Sequence, residues 1–161
     1  MIIVEGVDRV GKTTLVNLLK EKTGWPVLND TYLYETEDMR KDKRVNIEKI
    51  KTIANFARDV NDKFIIDRLH WSEMIYGCCD RGYDNVVPVL DVEDELIKVG
   101  AKIILVVPTD IESSSKQHGK DLSKHAELFE AVFDDSKMKK FKCDYNTLSD
   151  AVRWVINNEE Y

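Results

Sequence analysis

A glycine-rich segment close to the N-terminus limits the folds open to this chain more than any other feature. The apolar residues 2–4 are followed by Gly6, Gly11, Lys12 and Thr13 in the pattern G-x-x-x-x-G-K-T. Glycines allow positive φ, so successive backbone N–H groups can converge on one anion. The helical pattern that begins at Lys12 would direct the N-terminus of a helix to the same point. The segment therefore predicts a phosphate-binding loop between a buried strand and a helix.

Each position of this loop, residues 6–13, has a chemical role under that hypothesis. The residues expected to form the nucleotide cradle are Gly6, Val10, Gly11, Lys12, Thr13 and Thr14. Lys12 would reach the outer phosphates of a nucleoside triphosphate, and the hydroxyl of Thr13 would bind Mg²⁺. ATP and Mg²⁺ are therefore the expected cofactors.

A second motif follows another apolar run. Residues 64–66 (Phe-Ile-Ile) lead directly into Asp67 and Arg68. The chain has neither the Asn-Lys-x-Asp base reader of GTPases nor the Asp-Glu strand end typical of motor ATPases. An acid followed by an arginine favours a small kinase, because the acid can manage metal, water or a proton while the arginine binds a phosphate through two hydrogen bonds.

Short apolar runs alternate with helical patterns along the chain. The predicted strands are Ile2–Val4, Val27–Leu28, Phe64–Ile66, Ile103–Val107 and the weaker run Phe141–Cys143. The predicted helices are Lys12–Lys22, Asn46–Val60, Val89–Val99, Glu127–Phe133 and Thr147–Ile156. This alternation predicts an α/β fold with a parallel sheet that helices cover on both faces. The polar stretch 30–44 is expected to be a loop with a marginal helix, and residues 116–124 a mobile segment.

Length and composition narrow the possibilities further. A chain of 161 residues predicts one domain, and a net charge of −6 argues against a general nucleic-acid coat protein. No apolar run approaches the roughly 20 residues of a membrane span, and the first residues lack the features of an export signal. Cys78, Cys79 and Cys143 cannot build a disulfide framework and are expected to be buried or half-buried thiols. We therefore expect a cytoplasmic protein.

The two motifs together resemble the thymidylate kinase family of P-loop nucleotide kinases. Residues 5–14 (EGVDRVGKTT) are similar to the family's opening E-G-x-D-x-x-G-K-[ST]-T, and residues 67–72 (DRLHWS) to its D-R-Y-x-x-S. The resemblance implies a three-layer P-loop NTPase fold with a five-stranded parallel sheet in the order 2-3-1-4-5. It also implies transfer of the ATP γ-phosphoryl group to a pyrimidine deoxynucleoside monophosphate. No membrane partner is expected, and a homodimer is compatible with the resemblance.

The same resemblance assigns roles to individual residues. Asp8 would hold the acceptor sugar's hydroxyl, and Arg68 would bind the acceptor phosphate. Asp67 would organise Mg²⁺ through water, and Tyr76 would pack under the sugar. The alternatives left open are that Asp67 and Arg68 form a structural ion pair and that Tyr76 is a core residue.

The arginine inside the loop also has a place in the family. In one subgroup a catalytic arginine lies in the phosphate loop, at the place that Arg9 occupies here. In the other subgroup the arginines lie in a flexible lid. The expected lid, around residues 113–125, contains Lys116, Lys120 and Lys124 but no arginine. Arg9 is therefore expected to offset charge on the transferred phosphoryl group, although it could instead point to solvent. The three lysines belong either to the lid or to one solvated helix face.

Four further residues have two interpretations each. Ser72 either contacts substrate or caps the next helix. Phe56 lies on the helix that supplies a base-stacking phenylalanine in the family, or is a core residue. Glu73 and Arg81 extend a pattern similar to compact kinase-like proteins of phage genomes, and are either acceptor-site residues or exposed helix charges.

Asp30 marks a departure from the family. After the second strand the family has Arg-Glu-Pro, whereas this chain reads Leu28-Asn29-Asp30. Deoxynucleoside kinases use an acid here as general base on a sugar hydroxyl, although an Asn-Asp pair also caps turns. An alternative function is therefore phosphorylation of a hydroxyl on a deoxynucleoside or on a modified base such as 5-hydroxymethyluracil in DNA, with nucleic acid as a partner. A further alternative is a non-catalytic nucleotide-binding module.

Overall fold

Five parallel strands form one sheet. The computed structural model describes residues 1–29, 42–59, 63–84 and 86–158. The strands are β1 (Ile2–Glu5), β2 (Val27–Asn29), β3 (Ile65–Asp67), β4 (Lys102–Val106) and β5 (Lys139–Cys143). Their order is β2-β3-β1-β4-β5, and each neighbouring pair is parallel. The predicted sheet and its strand order are thus confirmed.

The central strand β1 is buried along its whole length. In register, Ile2 pairs with Ile65 of β3 on one side and with Lys102 of β4 on the other. The strand is a continuous apolar run up to Val4 because helices cover both faces of the sheet. The edge strand β5 carries three lysines among its five residues, which explains its weaker apolar pattern.

Seven α-helices and one short 3-10 helix (Tyr145–Thr147) lie within the described ranges. The α-helices are α1 (Lys12–Thr23), α2 (Lys43–Asp59), α3 (His70–Asp80), α4 (Val86–Lys98), α5 (Ile111–His118), α6 (Ser123–Asp135) and α7 (Leu148–Asn157). Helix α1 packs against α7, while α3 packs against α4 and α6. In the described part of the chain, no helix combines the length and the apolar composition that a membrane span needs.

Two of these helices were not predicted, for different physical reasons. Residues 70–75 of α3 are all buried, so the sequence shows no polar stripe from which a helical period could be recognised. Its last turn reaches the surface, and Cys78 is exposed, which makes the prediction of a buried thiol wrong there. Helix α5 is short and buries only Ser114, so it has no apolar stripe at all.

The structure also corrects the interpretation of the three lysines in residues 116–124 as one solvated helix face. Helix α5 occupies the first part of this stretch and ends where Gly119 adopts a left-handed conformation, with φ of 78°. Helix α6 then begins at Ser123. Lys116 lies on α5 and Lys124 on α6, with Lys120 in the connection between them, so the three lysines do not share one helix face.

A buried carboxylate joins α3, α4 and the turn before β5. Glu93 of α4 accepts hydrogen bonds from the Trp71 indole (2.8 Å), the Ser136 hydroxyl (2.8 Å) and His70 Nε2 (3.1 Å). Because a carboxylate only accepts, the proton of His70 must lie on Nε2. Burial by itself would raise the pKa of Glu93, but these three donors outweigh it and lower the pKa to about 2.

We expect Glu93→Gln to lower the free energy of unfolding by about 1–2 kcal/mol at pH 7, because one amide cannot accept from all three donors. The contribution of the Glu93 charge should be complete above its ordinary pKa of 4.5 and should decline as the pH falls towards 2. Urea unfolding of both proteins between pH 7 and 3 checks this. Asp94→Asn, an exposed change on the same helix, is the control. Equal stability of Glu93→Gln and wild type at pH 7 would contradict the prediction.

Candidate active site

The buried carboxylate of Glu5 connects the two sequence motifs. Glu5 ends β1 and is fully buried. One of its oxygens accepts hydrogen bonds from the backbone N–H groups of Leu69 (2.9 Å), Trp71 (3.1 Å) and Ser72 (3.3 Å), and the other accepts from the Ser72 hydroxyl. Glu5 thus caps the N-terminus of α3 from a strand more than sixty residues earlier. The end of β3 is held beside the phosphate loop as a result.

Two arginines near this junction have left-handed backbones. Arg9 has φ of 63° and Arg68 has φ of 71°, and no other non-glycine residue in the described ranges has positive φ. Such a conformation costs an ordinary residue about 1–2 kcal/mol. Both residues line the same cavity. The two strained residues of the described ranges are therefore both cations, and both lie at the same cavity.

The cavity has a volume of about 460 Å³. Its walls combine the phosphate loop, the end of β3 and the end of α5. The lining residues are Asp8, Arg9, Gly11, Lys12, Thr13, Asp67, Arg68 and His118. The tertiary structure thus brings the two motifs to one site, where Arg9, Lys12 and Arg68 line the same space.

Asp8 is the acidic centre of the cavity. Its Oδ1 forms an ion pair with the guanidinium of Arg68, and its Oδ2 lies 3.5 Å from Nδ1 of His118. Burial would raise the pKa of Asp8, but the charges of Arg68 and Lys12 outweigh burial and hold that pKa below its ordinary value. Arg68 thus pairs with Asp8 of the phosphate loop, and the charge of Asp67 also contributes to raising the pKa of Arg68.

Lys12 is almost completely buried in this structure. Its ammonium donates a hydrogen bond to the carbonyl oxygen of Val7, within the loop itself. Burial, followed by the nearby charge of Arg68, lowers the pKa of Lys12 to about 7, against the partial compensation of Asp8 and Asp67. An anion bound beside Lys12 would raise this pKa again, because a nearby negative charge favours the protonated ammonium. The lysine is therefore suited to bind a phosphate.

The cavity offers donors that suit Mg²⁺. The Thr13 side chain is exposed at the loop end, and the half-buried Asp67 faces the same cavity. Mg²⁺ commonly takes one carboxylate and one hydroxyl from a protein, with water and phosphate oxygens completing its coordination. No group of three or more His, Cys, Asp or Glu side chains suited to a metal occurs in the part of the chain that the structure describes.

The two glycines of the loop are needed for close approach. Gly6 has φ of 136°, and a Cβ at this position would collide with the carbonyl oxygen of Val106 in β4. Gly11 has φ of 99°, and its Cβ would lie 2.7 Å from the ring of Tyr145. The glycines let the loop lie directly against its neighbours while its backbone turns.

The other predicted site residues lie at varying distances from the cavity. Tyr76 is near it, with its ring centroid 5.9 Å from the guanidinium carbon of Arg68. Ser72 is buried inside α3 and its hydroxyl is bonded to Glu5, so its interpretation as a helix cap is wrong. Phe56 is 48% exposed on α2 and is not a core residue. Neither Ser72 nor Phe56 lines the cavity, and Asp30 lies outside the described residues.

Glu73 and Arg81 form a polar cluster away from the cavity. Glu73 is buried and pairs with Arg81 at 2.7 Å. The hydroxyl of Tyr83 also donates to Glu73, and Asn46 of α2 donates to that hydroxyl at 2.9 Å. The interpretation of Glu73 and Arg81 as exposed helix charges is therefore wrong.

His118 is a cavity residue that the sequence did not reveal. It ends α5 and approaches Asp8 across the cavity. A lone histidine in a polar stretch carries no spacing signal, so only the fold could identify it. The three lysines of the expected lid do not line the cavity, and Lys120 instead pairs with Asp80.

Comparisons with known proteins give fold relatives. No protein-family model matches the chain, and no curated protein matches its sequence. Among solved structures, the YorR protein of Bacillus subtilis, determined in complex with phosphorylated GDP, is similar with a TM-score of 0.76 and 21% identity over 99% of this chain and 95% of that one. Deoxyadenosine kinase from M. mycoides with bound dATP is similar with a TM-score of 0.59 and 12% identity over 99% of both chains.

A sugar kinase from a Janibacter species is a third example, with a TM-score of 0.60 and 13% identity over 96% of this chain and 93% of that one. The structural neighbours thus include nucleoside and sugar kinases. Together with the sheet order and the glycine-rich loop, they show that this chain has the P-loop kinase fold.

We expect Gly6→Ala to destabilise the protein by more than about 3 kcal/mol and to lower its affinity for MgATP at least tenfold, because the new methyl group meets backbone rather than a movable side chain. Gly24→Ala is the matched control, since Gly24 also has positive φ (71°) but has nothing within 4 Å of its Cβ position. Gly24→Ala should lower the free energy of unfolding by about 1 kcal/mol and leave nucleotide affinity unchanged. Thermal unfolding and calorimetric titration measure both. Similar losses in the two variants would show that backbone strain alone is responsible.

Binding of a triphosphate at pH 8 should take up protons. The negative charge of the ligand would raise the pKa of Lys12 above its value of about 7, so up to about one proton binds with the nucleotide. Affinity should consequently fall as the pH rises from 7 to 9. Calorimetry with a non-hydrolysable ATP analogue, in two buffers of different ionisation enthalpy, measures the uptake. Lys12→Arg, which stays charged, should show less uptake, and identical heats in both buffers for wild type would contradict the assignment.

Proposed function

We propose that this protein is an ATP-dependent kinase that transfers the γ-phosphoryl group to a pyrimidine deoxynucleoside monophosphate, as thymidylate kinases do. The observation that carries the proposal is the position of Arg68. It lines the same cavity as Lys12 and Arg9, and it pairs with Asp8 of the glycine-rich loop. A second phosphate-binding cation facing the triphosphate site suits an acceptor that itself carries a phosphate.

On the donor side, the phosphate loop supplies converging backbone N–H groups, and Lys12 supplies a positive charge for the outer phosphates. Lys12 would leave the carbonyl of Val7 for a stronger acceptor. Thr13 and Asp67 would hold Mg²⁺, which when bound offsets charge on the phosphate oxygens. These residues orient the triphosphate and need no covalent intermediate with the protein.

On the acceptor side, Arg68 and Asp8 act together. In this structure each satisfies the other as an ion pair. An acceptor with one phosphate and one sugar hydroxyl offers a partner to both, because the phosphate binds the guanidinium and the hydroxyl donates to the carboxylate. Tyr76, whose ring lies beside Arg68, would contact the sugar.

Arg9 would stabilise the transferring group. It is exposed, lines the cavity and has a strained backbone that directs it there. A guanidinium beside a phosphoryl group in transfer can contribute roughly 10³–10⁵ in rate. In this proposal the whole chain is one kinase domain, and residues 113–125, which include α5 and the start of α6, form its lid.

A hydroxyl acceptor is the second candidate. Deoxyadenosine kinase, a nucleoside kinase by name, has the same fold over 99% of this chain. The acceptor would then need a general base, for which the sequence offers Asp30. The two candidates differ in whether Arg68 binds an acceptor phosphate.

We expect Lys12→Ala to abolish phosphoryl transfer and Arg9→Ala to lower kcat by at least roughly 100-fold, with both proteins folded. Alanine at position 9 keeps the same backbone strain, so only the guanidinium is lost. Lys20→Ala, an exposed change on α1, is the control. The assay is a panel of deoxynucleosides, deoxynucleoside monophosphates and short DNAs containing 5-hydroxymethyluracil, with labelled ATP and Mg²⁺.

Label on a pyrimidine monophosphate supports the proposal, and Arg68→Ala should then raise the acceptor KM more than the KM for ATP. Label only on nucleosides or DNA supports a hydroxyl acceptor. Tight ATP binding without any labelled product would indicate a nucleotide-binding module. Near-normal turnover in folded Lys12→Ala would overturn the role of that lysine.

A further inference from the structure

Helix α5 lies against the phosphate loop and presents one face to it. Ser114 is its buried residue, and the Ser114 hydroxyl approaches the carbonyl oxygen of Arg9 at 3.5 Å. His118 follows four residues later, which places it on the same face one turn further on. Lys116 lies between them in sequence and is exposed. The loop-facing side of α5 therefore ends with an imidazole at the cavity wall.

The rest of this segment is anchored to the core. Leu122 has no exposed surface, and His125 is buried against the ring of Tyr76 with centroids 5.0 Å apart. Asp80 at the end of α3 accepts hydrogen bonds from His125 Nε2 (2.9 Å) and from Lys120. These contacts hold the chain on the far side of Gly119. His118 is thus positioned by packed structure on both sides of it.

The contact between His118 and Asp8 is a loose one. Nδ1 of His118 lies 3.5 Å from Asp8 Oδ2, beyond an ordinary N–H···O hydrogen bond. The other oxygen of Asp8 is already paired with Arg68. The imidazole could therefore leave Asp8 without leaving a buried charge unpaired. Its side chain is 30% exposed, so it has room to turn.

We propose that His118 is a further substrate-binding residue, which exchanges Asp8 for an oxygen of the terminal phosphoryl group when the nucleoside triphosphate binds. A phosphoryl oxygen is a stronger acceptor than a carboxylate oxygen whose charge is already shared. Among residues 113–125, the expected lid, His118 is the residue that lines the cavity. His118 would then donate a hydrogen bond from α5 to the phosphate, whereas Lys116, Lys120 and Lys124 do not line the cavity. The inference rests on the proposed function for the identity of the ligand.

The test compares two nucleotides that differ in the terminal phosphate. His118→Ala should weaken binding of the ATP analogue AMP-PNP with Mg²⁺ by roughly tenfold and change ADP affinity by less than about twofold. His118→Asn, whose amide nitrogen replaces Nδ1, should recover part of the loss. Glu112→Ala, an exposed change on the same helix outside residues 113–125, should change neither affinity. Calorimetric titration gives both constants, and thermal unfolding checks that each variant is folded.

Three results would overturn the inference. Unchanged AMP-PNP affinity in folded His118→Ala would exclude the contact. Equal losses for AMP-PNP and ADP would indicate a structural role for His118. A raised acceptor KM with unchanged AMP-PNP affinity would assign the imidazole to the acceptor phosphate instead. The titrations require no acceptor, so a protein that binds both nucleotides and phosphorylates nothing would fail as a kinase while still answering the question about His118.

Discussion

The hydrogen bonds of the Glu5 carboxylate are the constraint on which the rest of the site depends. Glu5 stands at the end of the central strand, fully buried, and accepts from Leu69, Trp71 and Ser72 at the start of α3. The helix N-terminus needs an acceptor for its buried N–H groups, and the carboxylate needs donors for its buried charge. The Glu5 carboxylate and the N–H groups at the start of α3 therefore satisfy each other. The turn that presents Arg68 is thereby held at a set distance from the loop that carries Arg9.

Three donors of the cavity each use an acceptor from the site itself. Lys12 donates to the carbonyl of Val7, Arg68 pairs with Asp8, and His118 approaches the same carboxylate. A buried ammonium beside another cation is costly: burial, followed by the charge of Arg68, lowers the pKa of Lys12. Acceptors within the site offset that cost locally. In the proposed function all three contacts are exchanged for those of a phosphate, which is a stronger acceptor, so the groups that stabilise the fold would also bind substrate.

Elements with a clear apolar pattern were predictable, and those without one were not. Helix α1 was predicted to within one residue because Leu15 and Leu19 face the core while its other side is polar. Helix α3 is buried nearly all round, and α5 buries only Ser114, so neither shows a period. The same limit applies to single residues. The exposure of Phe56, the burial of Glu73 and the pairing of Lys120 with Asp80 all arise from packing between segments distant in the chain.

The sequence by itself determined the phosphate loop, the parallel sheet and the acid-arginine pair at the end of β3, because these depend on local spacing of glycines, apolar runs and charges. Only the tertiary structure decided which charges meet. It paired Arg68 with Asp8, brought His118 to the cavity in place of the lysines, and turned Ser72 towards Glu5. The physical reason is that ion pairs and caps form between side chains close in space, and a linear pattern does not encode distances across a folded sheet.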